Sequence, residues 1–240
     1  LQTCALANLH TLILANMNKQ VTKKIIFIAL FAAIGLGAMQ IPFSQLVGAK
    51  GIRFSLFDFY GPIAGGFVGS IWGLITVGIM QLANWAWHGF ATDAGTIIRF
   101  FPMLFALLYF AKKSRWMLLV PAIAMIAFWA HPEGRQAWYY ALYWLIPMAA
   151  YFFHEKSVLL RALGTTFTAH AVGGALWIWV FNMKAALWIG LIPVVWKERG
   201  LMAIGITLTF ILFNFLMSVV TQKTKIQLPF VKLNPKYSLK

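Results

Sequence analysis

The chain is 240 residues long, 61% hydrophobic and only 10% charged, whereas soluble domains run nearer a quarter charged and half apolar. A water-soluble fold of this size cannot hide so much apolar surface, so the expected solvent is lipid and the expected fold class is all-α, a polytopic transmembrane helix bundle. The net charge of +15 fits basic loops and tails that set orientation and meet anionic headgroups; nucleic acid is not an expected partner, because no soluble binding module is present.

The chain begins at Leu1, and its first methionine is Met17. From there it reads MNKQVTKKIIFIALF, a short basic leader into an apolar run. Met17 is the expected natural start, with residues 1–16 as upstream sequence; a short amphipathic segment is the alternative. A cleavable signal peptide would put its charge before the apolar stretch, but Lys19, Lys23 and Lys24 come after it. The expected organisation is a leader over 1–23, one transmembrane domain over 24–220 and a basic cytoplasmic tail over 221–240.

A bilayer core of about 30 Å takes roughly 20 helical residues. Eight apolar segments follow one another: 24–41, ended by Pro42; 55–68; 70–88; 97–111, ended by Lys112, Lys113 and Arg115; 116–130; 137–153; 158–182; and 200–220. Six to eight of them are expected to span. Segment 55–68 is short and contains Gly61 and Pro62, which predicts a tilted or half-length helix. The apolar stretch 185–196 is shorter still and is expected to be interfacial or re-entrant, since so short a span leaves backbone polar groups in hydrocarbon. Basic residues gather at Lys19, Lys23 and Lys24, at 112–115, at Lys156 and Arg161, and in the tail. The opposite loops hold Lys50, Arg53, Arg135, Lys184, Lys197 and Arg199. Positive-inside then predicts a multi-pass protein of the cell membrane with both termini cytoplasmic.

Small residues fall in rows. Ala29 and Ala33 make a smooth strip on the first span, with Gly35 and Gly37 following; Gly61, Gly65, Gly69 and Gly73 make a longer row. Such rows let helices approach closely in lipid. The glycine row reads as packing inside the bundle, and the alanine strip as either packing or a face for a partner subunit.

Of the five acids, Asp93, Glu133, Glu155 and Glu198 are expected in loops, and only Asp58 inside a span. An acid at that depth is costly unless paired or hydrated and often marks a site. With Arg53, Arg99, Trp85, Trp87 and His88, Asp58 reads either as an outward ligand pocket or as a structural pair with Arg99 or Arg53. His170, among Thr165, Thr166 and Thr168, reads as a polar notch. It is a proton relay or ligand contact on one reading, a helix-packing hydrogen bond on the other. Catalytic motifs such as HExxH, GxSxG and a GK[ST] phosphate loop are missing. No enzyme activity, cofactor or metal is therefore expected. The single Cys4 allows neither a disulfide nor a cysteine metal site.

The stretch 24–87 resembles the substrate-binding S components of energy-coupling factor vitamin transporters. The Ala29/Ala33 pair, the loop IPFSQLVGAKGIRFSL and the glycine-rich run LFDFYGPIAGGFVGSIWGLITVGIMQL carry the likeness. The resemblance implies a small membrane subunit that captures a vitamin-like micronutrient from outside. It would dock Ala29 and Ala33 on a transmembrane coupling subunit that works with two ATPases, with 43–54 as a lid. The substrate-binding candidates are Lys50, Arg53, Asp58, Trp85, His88, Arg99 and His170, and Lys50, Arg53 and Arg99 hint at an anionic group on the ligand. S components usually have six spans, fewer than the segments counted here. A membrane enzyme using His170 or Asp58 and a purely structural membrane protein are the rival readings.

Overall fold

The computed structural model describes residues 2–45 and 53–239, with side chains over 17–44 and 53–239. Helix α1 (Gln2–Met39) runs without a break through residue 23, where leader was expected to meet domain. Pro42 ends it, since a proline lacks the N–H a helix needs and disfavours helical backbone before it. The chain then forms a two-stranded antiparallel hairpin, β1 (Pro42–Gln45) and β2 (Arg53–Ser55), with a bulge between Pro42 and Ser44. This short hairpin is a local feature of a mostly helical chain, whose class is the expected all-α.

The expected helix over 55–68 is split into α2 (Phe57–Tyr60) and α3 (Ile63–Val68). Pro62, lacking an N–H, cannot continue the hydrogen-bond ladder between them. Gly69, with φ +81°, turns the chain into α4 (Ser70–Trp87). The glycine row lies at the meeting of α3, α4 and α5 (Ala94–Ala111). A Cβ on Gly65 would stand 2.7 Å from Ala111 Cβ and 2.8 Å from the Leu107 carbonyl oxygen, and one on Gly73 would stand 3.0 Å from the Gly65 backbone.

A 3-10 turn over Arg115–Leu118 leads into α6 (Leu119–Ala130) and the short α7 (Pro132–Gln136). The segment read as one span over 137–153 is a 3-10 helix, Trp138–Trp144, followed by α8 (Leu145–Tyr151). Helix α9 (Val158–Phe181) leads to α10 (Ala185–Thr224), which is a single helix of 40 residues. This overturns two expectations. The stretch 185–196 is not a separate re-entrant segment, and Glu198 and Arg199 do not sit in a loop. Lys, Glu and Arg are good helix formers, so the charged triplet 197–199 interrupts the hydropathy without interrupting the helix. At 1.5 Å rise per residue, α10 is about 60 Å long, about twice a bilayer core.

Among the described residues, three helical stretches are long and apolar enough to cross a membrane: Met17–Met39, Ala94–Ala111 and Ala185–Thr224. The other helical runs are shorter or more polar. The chain is a mostly helical membrane protein.

The described buried side chains form two clusters. One joins α1 to α5 with the start of α9 and the second half of α10, around Phe31, Tyr60, Phe67, Phe110 and Phe210. The other joins α6, the 3-10 helix Trp138–Trp144, α9 and the first half of α10, around Phe128, Tyr140, Trp144 and Trp188. Helices α5 and α9 pack along each other and tie the two together. On α1, Phe27, Phe31 and Ala32 face the core while Ala29, Leu30, Ala33, Ile34 and Gly37 are exposed. The tail after α10 folds back on the bundle: the Lys232 amide donates to the Phe67 carbonyl (2.8 Å), and Asn214 exchanges hydrogen bonds with the Asn234 backbone.

Candidate functional site

A cavity of about 650 Å3 lies between the two clusters, within the range that holds small organic ligands. Its mouth is formed by the hairpin, the end of α4, the start of α5 and the α9–α10 junction. Its floor is formed by α2, the 3-10 helix Trp138–Trp144, α9 and the middle of α10. Of the seven sequence candidates, Arg53, Asp58, Trp85, His88, Arg99 and His170 all line it. Lys50, and residues 46–52 of the expected lid, lie outside the described residues.

The mouth is built by local constraints. Asp93 caps α5, accepting from the Thr96 amide (2.9 Å) and hydroxyl (2.6 Å). The Thr96 side-chain and backbone hydrogen bonds hold the Asp93 carboxyl below its usual range. This fixes the first turn of α5 and so the place of Arg99. The Arg99 guanidinium donates to the Arg53 carbonyl oxygen (2.9 Å), fastening α5 to the hairpin. Trp85 donates to the Ala91 carbonyl (2.7 Å), and His88 Nδ1 donates to the Asn84 carbonyl (2.8 Å). The Gln40 amide donates to Asn84 Oδ1 (2.9 Å), joining the ends of α1 and α4.

Of the two readings of Asp58, the structure lacks the ion pair with Arg53 or Arg99 and has all three residues lining one cavity. Asp58 opens α2, and its carboxylate accepts from the Ser55 amide (2.8 Å); no ion pair among the described residues includes it. Arg99 and Arg199 both lie within electrostatic range of it. The pairing failed for a local reason: the turn at Ser55 satisfies the carboxylate, and Arg99 is spent on the hairpin backbone.

His170 joins helices. Trp144 Nε1 donates to its Nδ1 (3.0 Å), and its Nε2 meets the Tyr140 hydroxyl (2.8 Å). An indole N–H can only donate, so Nδ1 accepts and the ring proton rests on Nε2, which donates to Tyr140. Thr165, Thr166, Gly173 and Gly174 line the same cavity as His170, as the polar notch predicts. Thr165 and Thr168 donate to carbonyls one turn back, Arg161 (2.8 Å) and Gly164 (2.7 Å), as hydroxyls in helices commonly do.

The residue that sequence reasoning misplaced is Arg199. It is 5% exposed and lines the cavity floor. Its Nη1 donates to Thr166 Oγ1 at 3.4 Å, and its Nη2 stands 3.6 Å from Glu198. Its guanidinium lies over the Phe54 ring of the hairpin at 4.9 Å. A usable signal was present: the buried face of α10 runs Trp188, Leu191, Val195, Arg199, Met202, Ile206 and Phe210, and Arg199 keeps the three-and-four spacing of an apolar helix face. Gln81 was also missed; its amide donates to the Phe100 carbonyl (3.3 Å).

Where α7 meets the start of α10, Glu133 accepts from the Ala185 amide (2.8 Å) and Lys184 Nζ (3.0 Å). Those bonds, the amide's first, hold its carboxyl below the usual range. They clamp α7 to the start of α10. Among the described residues, no three His, Cys, Asp or Glu side chains converge on a common metal position. The chain matches no family model, no curated protein and no solved structure.

Proposed function

We propose that this chain is a substrate-capture subunit for micronutrient uptake, of the S-component kind, and not an enzyme. The observation that carries the reading is the cavity: about 650 Å3, aromatic and polar together, with six of the candidate residues on its walls. Ligand enters from the outside through the mouth beneath the hairpin. The chain passes the cell membrane six to eight times, with both termini cytoplasmic and the short runs α2–α3, α6 and α8 as shorter passes beside the longer helices. The exposed strip Ala29, Ala33 and Gly37 on α1 docks on a transmembrane coupling subunit, and ATPase subunits bound to that partner supply the energy. An enzyme reading has less support, because both His170 ring nitrogens are engaged in packing bonds.

The test is co-purification from the native cell. Ala29→Trp and Ala33→Trp are expected to abolish recovery of the coupling and ATPase subunits while leaving the thermal midpoint of the isolated chain unchanged. Recovery of the partners with both tryptophans in place would sink the docking assignment. A vitamin panel tests capture itself: a true ligand at about a hundred times its Kd adds about 2.7 kcal/mol of stability.

A further inference from the structure

We infer that the cavity floor is a receptor for one carboxylate, held by Arg199, and that the captured molecule is a small organic acid with a flat, apolar body. This rests on the capture reading above and names its ligand class.

Arg199 is almost fully buried, yet its guanidinium is poorly used. Its Nε is buried with no hydrogen-bond partner among the described residues, and the contacts of its other two nitrogens, at 3.4 and 3.6 Å, are long. A buried N–H left unmet is costly, and more so on a charged group. Natural folds keep such groups where a ligand completes them. The geometry suits a planar anion. The Phe54 ring covers one face of the guanidinium, Arg199 is among the residues that line the cavity, and an in-plane guanidinium fork is the shape that matches a carboxylate.

Charge points the same way. Among the described residues, the fixed charges lining the cavity are Arg53, Arg99, Arg199 and Asp58. Glu198, behind Arg199, offsets one more. Three cations against two anions leave one positive charge over, which a monoanion neutralises. Gln81, whose Oε1 is a buried acceptor without a partner among the described residues, also lines the cavity, from α4. Trp177 and Trp188 supply aromatic wall for the body.

The experiment uses the full chain in detergent, unfolded in a calorimeter with matched probes at millimolar concentration: nicotinate against nicotinamide, and indole-3-acetate against indole-3-acetamide. An acid is expected to raise the unfolding midpoint where its amide does not. Arg199→Gln is expected to erase that difference and to raise the midpoint of the ligand-free chain, since it removes a buried charge with unmet donors. A purely structural arginine would lower that midpoint instead. Arg199→Lys keeps the charge without the fork and is expected to weaken the acid's binding roughly tenfold. If neither acid exceeds its amide with the wild-type chain, the inference is overturned whatever the variants do. Mass spectrometry of what co-purifies gives an independent reading. An acid lost in Arg199→Gln supports the inference; a neutral compound or an anionic lipid overturns it. A neutral compound that stabilises the chain leaves the capture reading standing, whereas failure to recover the coupling subunit strikes that reading and not the carboxylate.

Discussion

Replacing Gly65 by leucine tests whether the glycine row is the seam that closes the bundle. At this position the first added atom already meets Ala111 Cβ at 2.7 Å and the Leu107 carbonyl oxygen at 2.8 Å, against about 3.5–4.0 Å for carbon atoms at ordinary separation. The Leu107 oxygen belongs to the backbone of α5 and cannot rotate away, so α3 and α5 must part. Overpacking of this kind costs typically about 1–3 kcal/mol and sometimes more, and the full leucine belongs at the upper end. Gly37→Leu is the control, because nothing lies within 4 Å of its added Cβ. There the same change recovers up to about 1 kcal/mol of helix propensity. The two variants should therefore differ by about 4 kcal/mol, roughly 8–16 °C in midpoint for a chain of this length. Thermal unfolding followed by helical circular dichroism reads the difference. If Gly65→Leu melts with the wild type, or Gly37→Leu melts as early as Gly65→Leu, the seam argument is wrong.

Asn214→Ala should free the tail. The Asn214 side chain is fully buried and satisfies both the amide (2.7 Å) and the carbonyl (3.0 Å) of Asn234; leaving those groups unpaired costs about 1–3 kcal/mol. Limited proteolysis should then cut between 225 and 233 faster than in the wild type, and equal rates would refute the clamp. Glu133→Gln should change acid sensitivity. Because its folded carboxyl is held below the ordinary range, its contribution is present above the unfolded value and is lost as pH falls through the lowered folded value. The wild type should lose midpoint more steeply than Glu133→Gln across the acidic range, and parallel curves would remove Glu133 from the α7–α10 corner.

Some of the architecture was legible because it depends on local properties. Expected segments 70–88, 97–111 and 158–182 correspond to the helices Ser70–Trp87, Ala94–Ala111 and Val158–Phe181. Hydropathy marks apolar runs, and Pro42, Lys112 and Asn182 stand at their ends. The same locality misled where composition and conformation part. The triplet Lys197, Glu198 and Arg199 looked like a loop because it is charged, yet it is helical because the backbone responds to propensity and packing. The segment 137–153 is apolar throughout, yet its first half winds as a 3-10 helix.

By itself the sequence determined that the solvent is lipid, that the backbone is helical, and that Asp58 and His170 are costly enough at their depth to need a reason for being there. Each follows from composition and the energy of burying polar groups, which need no knowledge of neighbours. Tertiary structure alone decided what those groups do. Asp58 is satisfied by the Ser55 amide and not by an arginine, His170 is tied to Tyr140 and Trp144, and Arg199 is buried with an N–H that no described residue meets. Such pairings depend on which faces of distant helices meet, and a hydrogen bond that works at 2.8 Å and fails an ångström or two beyond is set by packing that no local pattern encodes.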